Sequence, residues 1–495
     1  MKLYLEGHDY RYAVEQIMLI LLPGQRPEYP DAPPAPDEAA AHSALVLRDG
    51  TARARTVLQL DGRRSEGTAE TVLPETDDGL TRDRLCQRII KQSFYKAALP
   101  LLDHAPDWGA LTGVRPAKLA AKALVDGRSR AEVERMFREE FFVSPQRTRL
   151  AMEAAEAGLE VARGLRPEEL SLYVGIPFCP TRCAYCSFVS ADIQRALKLV
   201  EPYLEALGRE IDAAARLLPQ AGAKVRTLYF GGGTPTTLSP AQLDRMLGQL
   251  HRSLDLSGLS ECTVEAGRPD TITAEKLAVL RDYGVDRLSV NPQTMQDHVL
   301  RAMGRAHTAA DVLRAYDLAR RAGDWAINMD LIAGLPEDSA DGFRDTLETV
   351  LSLAPENITV HTLALKKGSR LTLEGRGLPS GEETARMLAY AWPRLEEAGY
   401  RPYYLYRQKY MSGALENIGW CRPGYEGIYN VCIMEELHTI LALGAGGSTK
   451  LTDPHTGKIT RLTNPKYPYE YIQRVQQLCA EKEAIVPFYR ALLGG

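Results

Sequence analysis

From Ser171 onward the chain alternates short apolar runs with longer segments whose apolar residues recur at helical spacing. SLYVGIPF, TLYFGGGTP, ECTVEAG, RLSVNPQT, AINMDLIAG and NITVHTLAL read as strands, and segments such as PYLEALGREIDAAARLL and AEKLAVLRDYG read as amphipathic helices between them. Six strand–helix units in succession call for a parallel sheet with its helices packed outside. Right-handed crossovers curl such a sheet into a full or partial barrel. The stretch 1–166 follows another pattern. MKLYLEG reads as a strand, AVEQIMLILL as a helix, EYPDAPPAPDEAAA as an exposed loop, SALVLRD and ARTVLQLDG as strands, and a helical run begins around Arg84. In WGALTGVRPAKLA a turn leads into a helix with Pro116 at its first position; a substrate or interdomain contact through Arg115 is the other reading of that segment. Past Gly399 come the tyrosine-rich YRPYYLYRQKY, the glycine-rich LALGAGGSTK and a helical tail. Tyr403, Tyr404, Tyr406 and Tyr410 are expected to pack or to lie at the surface. The expected fold is α/β, with an α+β N-terminal domain (1–166), a partial (β/α)6-type barrel (167–398) and a smaller C-terminal α+β region (399–495).

Sites in such folds lie at the carboxyl ends of the strands. The unusual residues gather there: Cys179 after the first strand, Gly231, Gly232 and Gly233 after the second, Glu265 after the third, Gln293 after the fourth and Asp330 within the fifth. Composition is that of an ordinary globular protein, 45% hydrophobic and 25% charged, which leaves fold class to the pattern. A formal charge of -4 with both signs interspersed argues against a dedicated nucleic-acid protein. No apolar run is long enough for a membrane span, and the polar N-terminus lacks a signal-peptide core, so a cytoplasmic location is expected.

Of the eight cysteines, Cys86, Cys262, Cys421, Cys432 and Cys479 are scattered and read as buried or idle thiols. Cys179, Cys183 and Cys186 stand together at C-x3-C-x2-C spacing. Three readings compete. A structural zinc site wants four Cys or His ligands, commonly in two pairs, but the nearest downstream histidine is His251 and no second C-x2-C follows. A redox dithiol of Cys183 and Cys186 leaves Cys179 unexplained. A four-iron cubane held by three thiolates leaves one iron open to a ligand bringing nitrogen and oxygen, such as an amino acid's amine and carboxylate. Only this reading uses all three cysteines and explains the missing fourth.

The cysteine spacing, with Tyr185 before the last cysteine, resembles the radical S-adenosylmethionine (SAM) enzymes. The wider set YVGIPFCPTRCAYCSF, YFGGGTPT, TVEAGRPD, RLSVNPQT, GRAH and NMDLIAGLP resembles the oxygen-independent coproporphyrinogen III oxidase group. Within it the HemZ-type coproporphyrinogen dehydrogenases are similar in carrying a TGVRP-like segment before the barrel and a YLYRQK…GYEGIYN stretch after it. The resemblance implies a radical SAM barrel with a [4Fe-4S] cluster on Cys179, Cys183 and Cys186, and one or two SAM molecules. It assigns Gly231, Gly232 and Gly233, with Thr234 beside them, to the methionine end of SAM, where glycine lets backbone groups approach a polar ligand. Tyr173, Tyr185, Glu265, Gln293, Arg305 and Asp330 match further SAM contacts, some of them serving a second SAM. A carboxylate suits ribose hydroxyls or an ammonium, and Arg305 could hold a carboxylate bidentately. A charge such as Asp330 in an apolar strand is costly unless paired. Ile332 and Ala364 match apolar positions near the adenine, with barrel core as the other reading of each.

The function implied is oxidative decarboxylation of coproporphyrinogen III propionates to vinyl groups, in anaerobic haem biosynthesis. An adenosyl radical made from SAM would remove hydrogen from a propionate β-carbon. The implied partners are the tetrapyrrole substrate and a reduced flavodoxin or ferredoxin-type electron donor, with no nucleic acid and no membrane span; oligomeric state stays open. Propionates need cations, and Arg115, Arg407 and Lys409 are the candidates. The chain departs from the oxidase pattern at two points: Gly175 stands where a histidine is usual, and Ser187 and Phe188 follow Cys186 where a further cysteine is usual. The resulting Cys-x-Phe is seen in relatives that resemble haem chaperones. A haem chaperone, or a radical SAM methyltransferase or haem-opening enzyme, are therefore the rival readings. His307 and His361 read as structural histidines, and His438 as an outside candidate for haem ligation.

Overall fold

The structure, a computed structural model, describes residues 1–31, 38–75, 79–186, 190–364, 369–374, 380–408 and 415–494. The chain divides into two compact units, Met1–Met152 and Glu153–Gly495.

In the first unit, β1 (Lys2–Glu6), β2 (Ala40–Arg48), β3 (Thr51–Leu60) and β4 (Arg63–Val72) form one sheet in that order. β1 runs parallel to β2, and the other pairs are antiparallel. Both hairpins turn on Asp-Gly pairs with positive φ, Asp49-Gly50 and Asp61-Gly62, whose twist matches that of the strands they join. The helix Arg11–Leu21 buries Val14, Ile17 and Met18 in one core with Ile89, Ile90 and Phe94 of the helix Gly79–Ala98. That second helix begins five residues earlier than the apolar pattern suggested. Pro116 does open a helix, Pro116–Val125, where its missing N–H costs nothing.

In the second unit, the six expected strands are β5 (Glu169–Ile176), β8 (Lys224–Gly232), β9 (Glu261–Val264), β10 (Arg287–Ser289), β11 (Ala326–Ala333) and β12 (Asn357–Thr362). They lie side by side in chain order and all run parallel. A two-residue parallel pair, β6 (Phe178–Cys179) and β7 (Ala191–Asp192), brackets the cysteine loop. The intervening helices start on side-chain caps; Ser239 with Gln242 and Thr308 with Asp311 form capping boxes.

The C-terminal region lengthens this same sheet at both edges. β13 (Arg401–Tyr406) and β14 (Asn417–Cys421) add antiparallel strands beyond β12. β15 (Thr439–Leu443) pairs parallel with β5 and is followed by β16 (Ser448–Thr452) and β17 (Ile459–Thr463). The result is an open, eleven-stranded partial barrel. Tyr403 and Tyr404 are core residues, as expected, while Tyr410 lies outside the described residues.

The two faces of the barrel strands differ. On β11, Ile327, Met329 and Leu331 are fully buried, whereas Asn328 and Asp330, pointing the other way, are only half-buried. On β5, β8 and past β9 the half-buried residues are Tyr173, Tyr229 and Glu265, on the same face. A strand's side chains alternate between faces, so these residues define a polar inner surface that solvent still reaches.

The turn after β15 is fixed to the mouth of this lumen. Buried Glu210, on the helix Ile193–Ala221, accepts hydrogen bonds from Gly444 N (2.7 Å) and Asn464 Nδ2 (2.9 Å) and pairs with buried Lys482. Such a pair survives burial because its remaining lone pairs are satisfied. Next to it, the Tyr203 hydroxyl donates to Gly175 O at 2.5 Å and accepts from Ala445 N at 2.9 Å. A side chain at Gly175 would bring its Cβ to 2.7 Å from the Ala445 carbonyl oxygen, so a histidine there requires a different turn.

Candidate functional site

The cysteine loop leaves β5 and is tied down by backbone from distant loops. Ala184 N donates to Met303 O (2.9 Å), Leu371 N donates to Ala184 O (3.1 Å), and Cys186 N donates to Cys183 O (3.2 Å). Cys179 and Cys186 are half-buried and Cys183 is buried. Two of the sulfurs accept hydrogen bonds: Cys179 Sγ from the Thr234 hydroxyl at 3.5 Å, and Cys183 Sγ from Arg268 Nη1 at 3.7 Å. Burial pushes the Cys179 thiol up, against the pull of its hydroxyl neighbours.

Beside this loop runs the glycine strip. Gly233 N donates to Ile176 O and Thr234 N donates to Phe178 O, both at 2.7 Å. A Cβ at Gly233 would fall on the Phe178 carbonyl oxygen, so this glycine is demanded by the contact of the two loops. A Cβ at Gly231 would lie 3.0 Å from Glu265 Oε2, so Gly231 clears space over that carboxyl.

Glu265 faces a wall of phenols. The Tyr229 hydroxyl donates to its Oε1 at 2.5 Å. Tyr229 stacks on Tyr429 with ring centroids 4.1 Å apart, and Tyr173 stands 6.3 Å from each. Burial pushes the Glu265 carboxyl up to about 7, with the Asp330 charge adding and the bonds from Tyr229 and Gly232 opposing. Asp330 has better company. Asn291 Nδ2 and Asn328 Nδ2 donate to it at 2.8 Å each, and His361 Nε2 lies 3.8 Å away. Burial pushes Asp330 up, but His361 and Asn328 together hold it below the usual carboxylate range. Gln293 sits in the left-handed region (φ 68°) and is clamped to β11, its N–H donating to Asp330 O and its carbonyl accepting from Ile332 N, both at 2.9 Å. Strain of this kind persists where surrounding structure over-determines it.

Arg305 makes four hydrogen bonds within the protein. It donates to the Tyr185 hydroxyl (2.8 Å), Asn291 O (2.7 Å), Gly267 O (3.2 Å) and His307 Nε2 (3.3 Å). Ile332 shares an apolar cluster with Ala184, Met303, Leu371 and Tyr185, beneath the cysteine loop. Thr234 is buried between the strip and Cys179. Ala364 is half-buried at the end of the described part of its segment. His307 lies buried in the Arg305 network, and His438 is buried with Nε2 against the Ser171 hydroxyl at 2.8 Å. Arg407 is buried, Arg115 belongs to the first unit, and Lys409, Ser187 and Phe188 lie outside the described residues.

Sequence reasoning did not single out Tyr229, Asn291, Arg268 or Tyr429. All four lie in stretches already quoted, Asn291 two residues before Gln293 in RLSVNPQT. Tyr229 precedes the glycine strip by two residues and therefore shares its face, and Arg268 sits in the same TVEAGRPD stretch as Glu265. Tyr429 belongs to the GYEGIYN stretch, but its place depends on a distant contact: Glu261 on β9 accepts Ile428 N (2.7 Å) and Tyr429 N (3.0 Å), holding the helix Ile428–Glu435 against the barrel across a long sequence interval.

The donor set fits a cubane. Three thiols share one loop, with N–H and O–H donors at two sulfurs and a glycine strip alongside. Among the described residues no three His, Cys, Asp or Glu side chains gather as ligands of a single ion. Among the same residues no helix is long and apolar enough to cross a membrane.

Residues 173–350 match the radical SAM superfamily. The chain is 43% identical over 382 residues to the oxygen-independent coproporphyrinogen-III oxidase-like protein HemZ of Bacillus subtilis, covering 76% of each chain. It is 37% identical to the heme chaperone HemW of the same organism, over 47% of this chain and 62% of that one. Coproporphyrinogen III oxidase HemN from Escherichia coli, a radical SAM enzyme, superposes with a TM-score of 0.53 at 27% identity, over 66% of this chain and 73% of that one.

Proposed function

The chain belongs to the radical SAM superfamily and, within it, to the family of HemZ, and from that premise we propose that it oxidatively decarboxylates coproporphyrinogen III propionates to vinyl groups, giving protoporphyrinogen IX. Its cofactors are a [4Fe-4S] cluster and SAM. When bound, they supply one-electron chemistry able to remove hydrogen from carbon. Cys179, Cys183 and Cys186 would hold the cluster, and Gly231, Gly232 and Gly233 would admit SAM close to the backbone. Glu265, Asp330 and Gln293 would accept its polar hydrogens, and Tyr173 and Ile332 would cover it. Arg305 would act by bracing Tyr185 rather than by gripping a ligand. Arg407 is the proposed partner of a substrate propionate, and a reduced flavodoxin or ferredoxin-type protein the proposed electron donor.

The observation that carries this reading is the lumen. Glu265, Asp330, Tyr173 and Tyr229 share one half-buried, polar inner face at the strand ends that also carry the cysteines and the glycine strip. A haem chaperone is the second reading, favoured by Phe188 two positions after Cys186 and by the likeness to HemW. Anaerobically reconstituted protein, given SAM, reductant and coproporphyrinogen III, should yield vinyl product and carbon dioxide, and Cys183→Ala should abolish both. Stoichiometric haem binding without vinyl product would favour the chaperone. A methylated or ring-opened tetrapyrrole would favour the methyltransferase or haem-opening reading.

A further inference from the structure

We propose that Arg268 sets the reduction potential of the cluster, by aiming an N–H and a fixed positive charge at the Cys183 sulfur, with Asp270 offsetting that charge. The inference rests on Cys183 being a cluster ligand. Arg268 is buried, only 4% exposed, and every arm of its guanidinium is committed. Nε and Nη2 grip Asp270 bidentately at 3.1 Å each. Nη1 and Nη2 each reach the Thr181 hydroxyl at 3.2 Å, and Nη1 also donates to Thr181 O at 3.3 Å. The fork is planar and rigid, so these bonds aim Nη1 at Cys183 Sγ, 3.7 Å away. Thr181 in turn donates to Gly304 O at 3.1 Å, which fixes the loop carrying the cysteines.

Reducing a cluster by one electron adds negative charge. A nearby cation and a hydrogen bond to a ligand sulfur both favour that state, and both raise the potential. Burial keeps the effect from being screened. Asp270 opposes it, being ionised beside Arg268, with His307 Nδ1 at 3.8 Å on its other side. Cys179 accepts from neutral hydroxyls, Thr234 and Ser190, and feels the Arg268 charge from further off, whereas the hydrogen bond from Arg268 itself goes to Cys183.

The test is an anaerobic redox titration of the full-length, cluster-loaded protein, followed by electron paramagnetic resonance, with iron and sulfide counted for each variant. Arg268→Met should shift the midpoint negative at equal iron content, and Arg268→Lys, which keeps the charge but loses the fork, should shift it less. Asp270→Asn, nearly isosteric, should shift it positive. A merely structural Arg268 would change occupancy without these opposite signs. An unchanged midpoint in Arg268→Met, or a negative shift in Asp270→Asn, overturns the proposal. If Arg268→Met does not retain a cluster, the sign in Asp270→Asn decides. Cys183→Ala separates the two levels: a cluster that survives it refutes the ligand assignment, whereas its loss alongside unmoved midpoints refutes only the role of Arg268.

Discussion

Glu265 and Asp270 leave the end of the same strand, β9, and reach opposite electrostatic states. Burial pushes Glu265 up to about 7, because its neighbours are phenols, a backbone N–H and a second carboxylate. Asp270 also pays for burial, but His307 and Arg268 more than compensate and hold it down at about 2. Depth and counter-charge together decide which carboxyl titrates near neutrality: Asp270 is the more exposed of the two and is paired with Arg268, whereas Glu265 is half-buried among phenols. The arginine side of the site, where Arg268 and Arg305 flank His307, is a brace for the cysteine loop. The phenolic side, with Tyr173, Tyr229 and Tyr429, leaves Glu265 able to respond to a ligand.

The largest effect expected of this division is on stability. Arg305→Met would leave the Tyr185 hydroxyl, two backbone carbonyls and His307 without their donor. Orphaned buried polar groups cost about 1–3 kcal/mol each and are not additive, so the loss should be about 3 kcal/mol or more. Glu265→Gln should cost far less. Urea unfolding of the iron-free proteins compares them, and equal losses would erase the distinction between brace and responder.

The second effect is in pH dependence, and the two carboxyls should differ in sign. The folded value of Glu265, about 7, lies above its ordinary 4.5, so the fold favours the protonated form. Its contribution to stability is fully present below pH 4.5 and is lost as pH rises through about 7, a change of about 3 kcal/mol. Glu265→Gln should be as stable as the wild type in mild acid and more stable above neutrality. Asp270 is the mirror case: its folded value, about 2, lies below the ordinary 3.8, so its contribution is present above pH 3.8 and is lost as pH falls through about 2. Unfolding midpoints of wild type, Glu265→Gln and Asp270→Asn across that range should diverge at opposite ends. Parallel curves would mean the two environments do not differ.

What the sequence disclosed follows the same line. The six parallel strands were legible because each is an apolar run, and the cysteines, glycines and Glu265 because their spacing is improbable without chemistry. β4 was missed because RRSEGTAETV holds few apolar residues, although the Asp61-Gly62 hairpin turn announces it. The antiparallel pairing of β14 with β12, and the parallel pairing of β15 with β5, join partners far apart in sequence, which no local pattern encodes. Arg268 and Arg305 could be seen as arginines but not as braces, since their partners lie on other loops. Tyr429 reaches the phenolic wall only through the Glu261 cap.

The smallest effect isolates one hydrogen bond on the phenolic side. Tyr229→Phe keeps the ring that stacks on Tyr429 and removes only the donor to Glu265 Oε1. That bond lowers the Glu265 value, so without it burial should carry the carboxyl further above about 7. The groups facing Glu265 that remain are the Gly232 N–H, Tyr173, Tyr429, Asp330 and His361, all of which face it in the wild type too, so the Tyr229 bond is a net loss. If the ionised carboxylate is what receives the polar hydrogens of SAM, affinity near neutrality should fall about tenfold, or about 1.4 kcal/mol, and should recover as pH rises and Glu265 ionises. Equilibrium binding of SAM across neutral and alkaline pH reads this directly. A uniform loss at every pH would point to packing alone. A profile identical to the wild type's would make the phenolic wall as inert electrostatically as the brace opposite it, and the contrast between Glu265 and Asp270 would lose its bearing on the ligand.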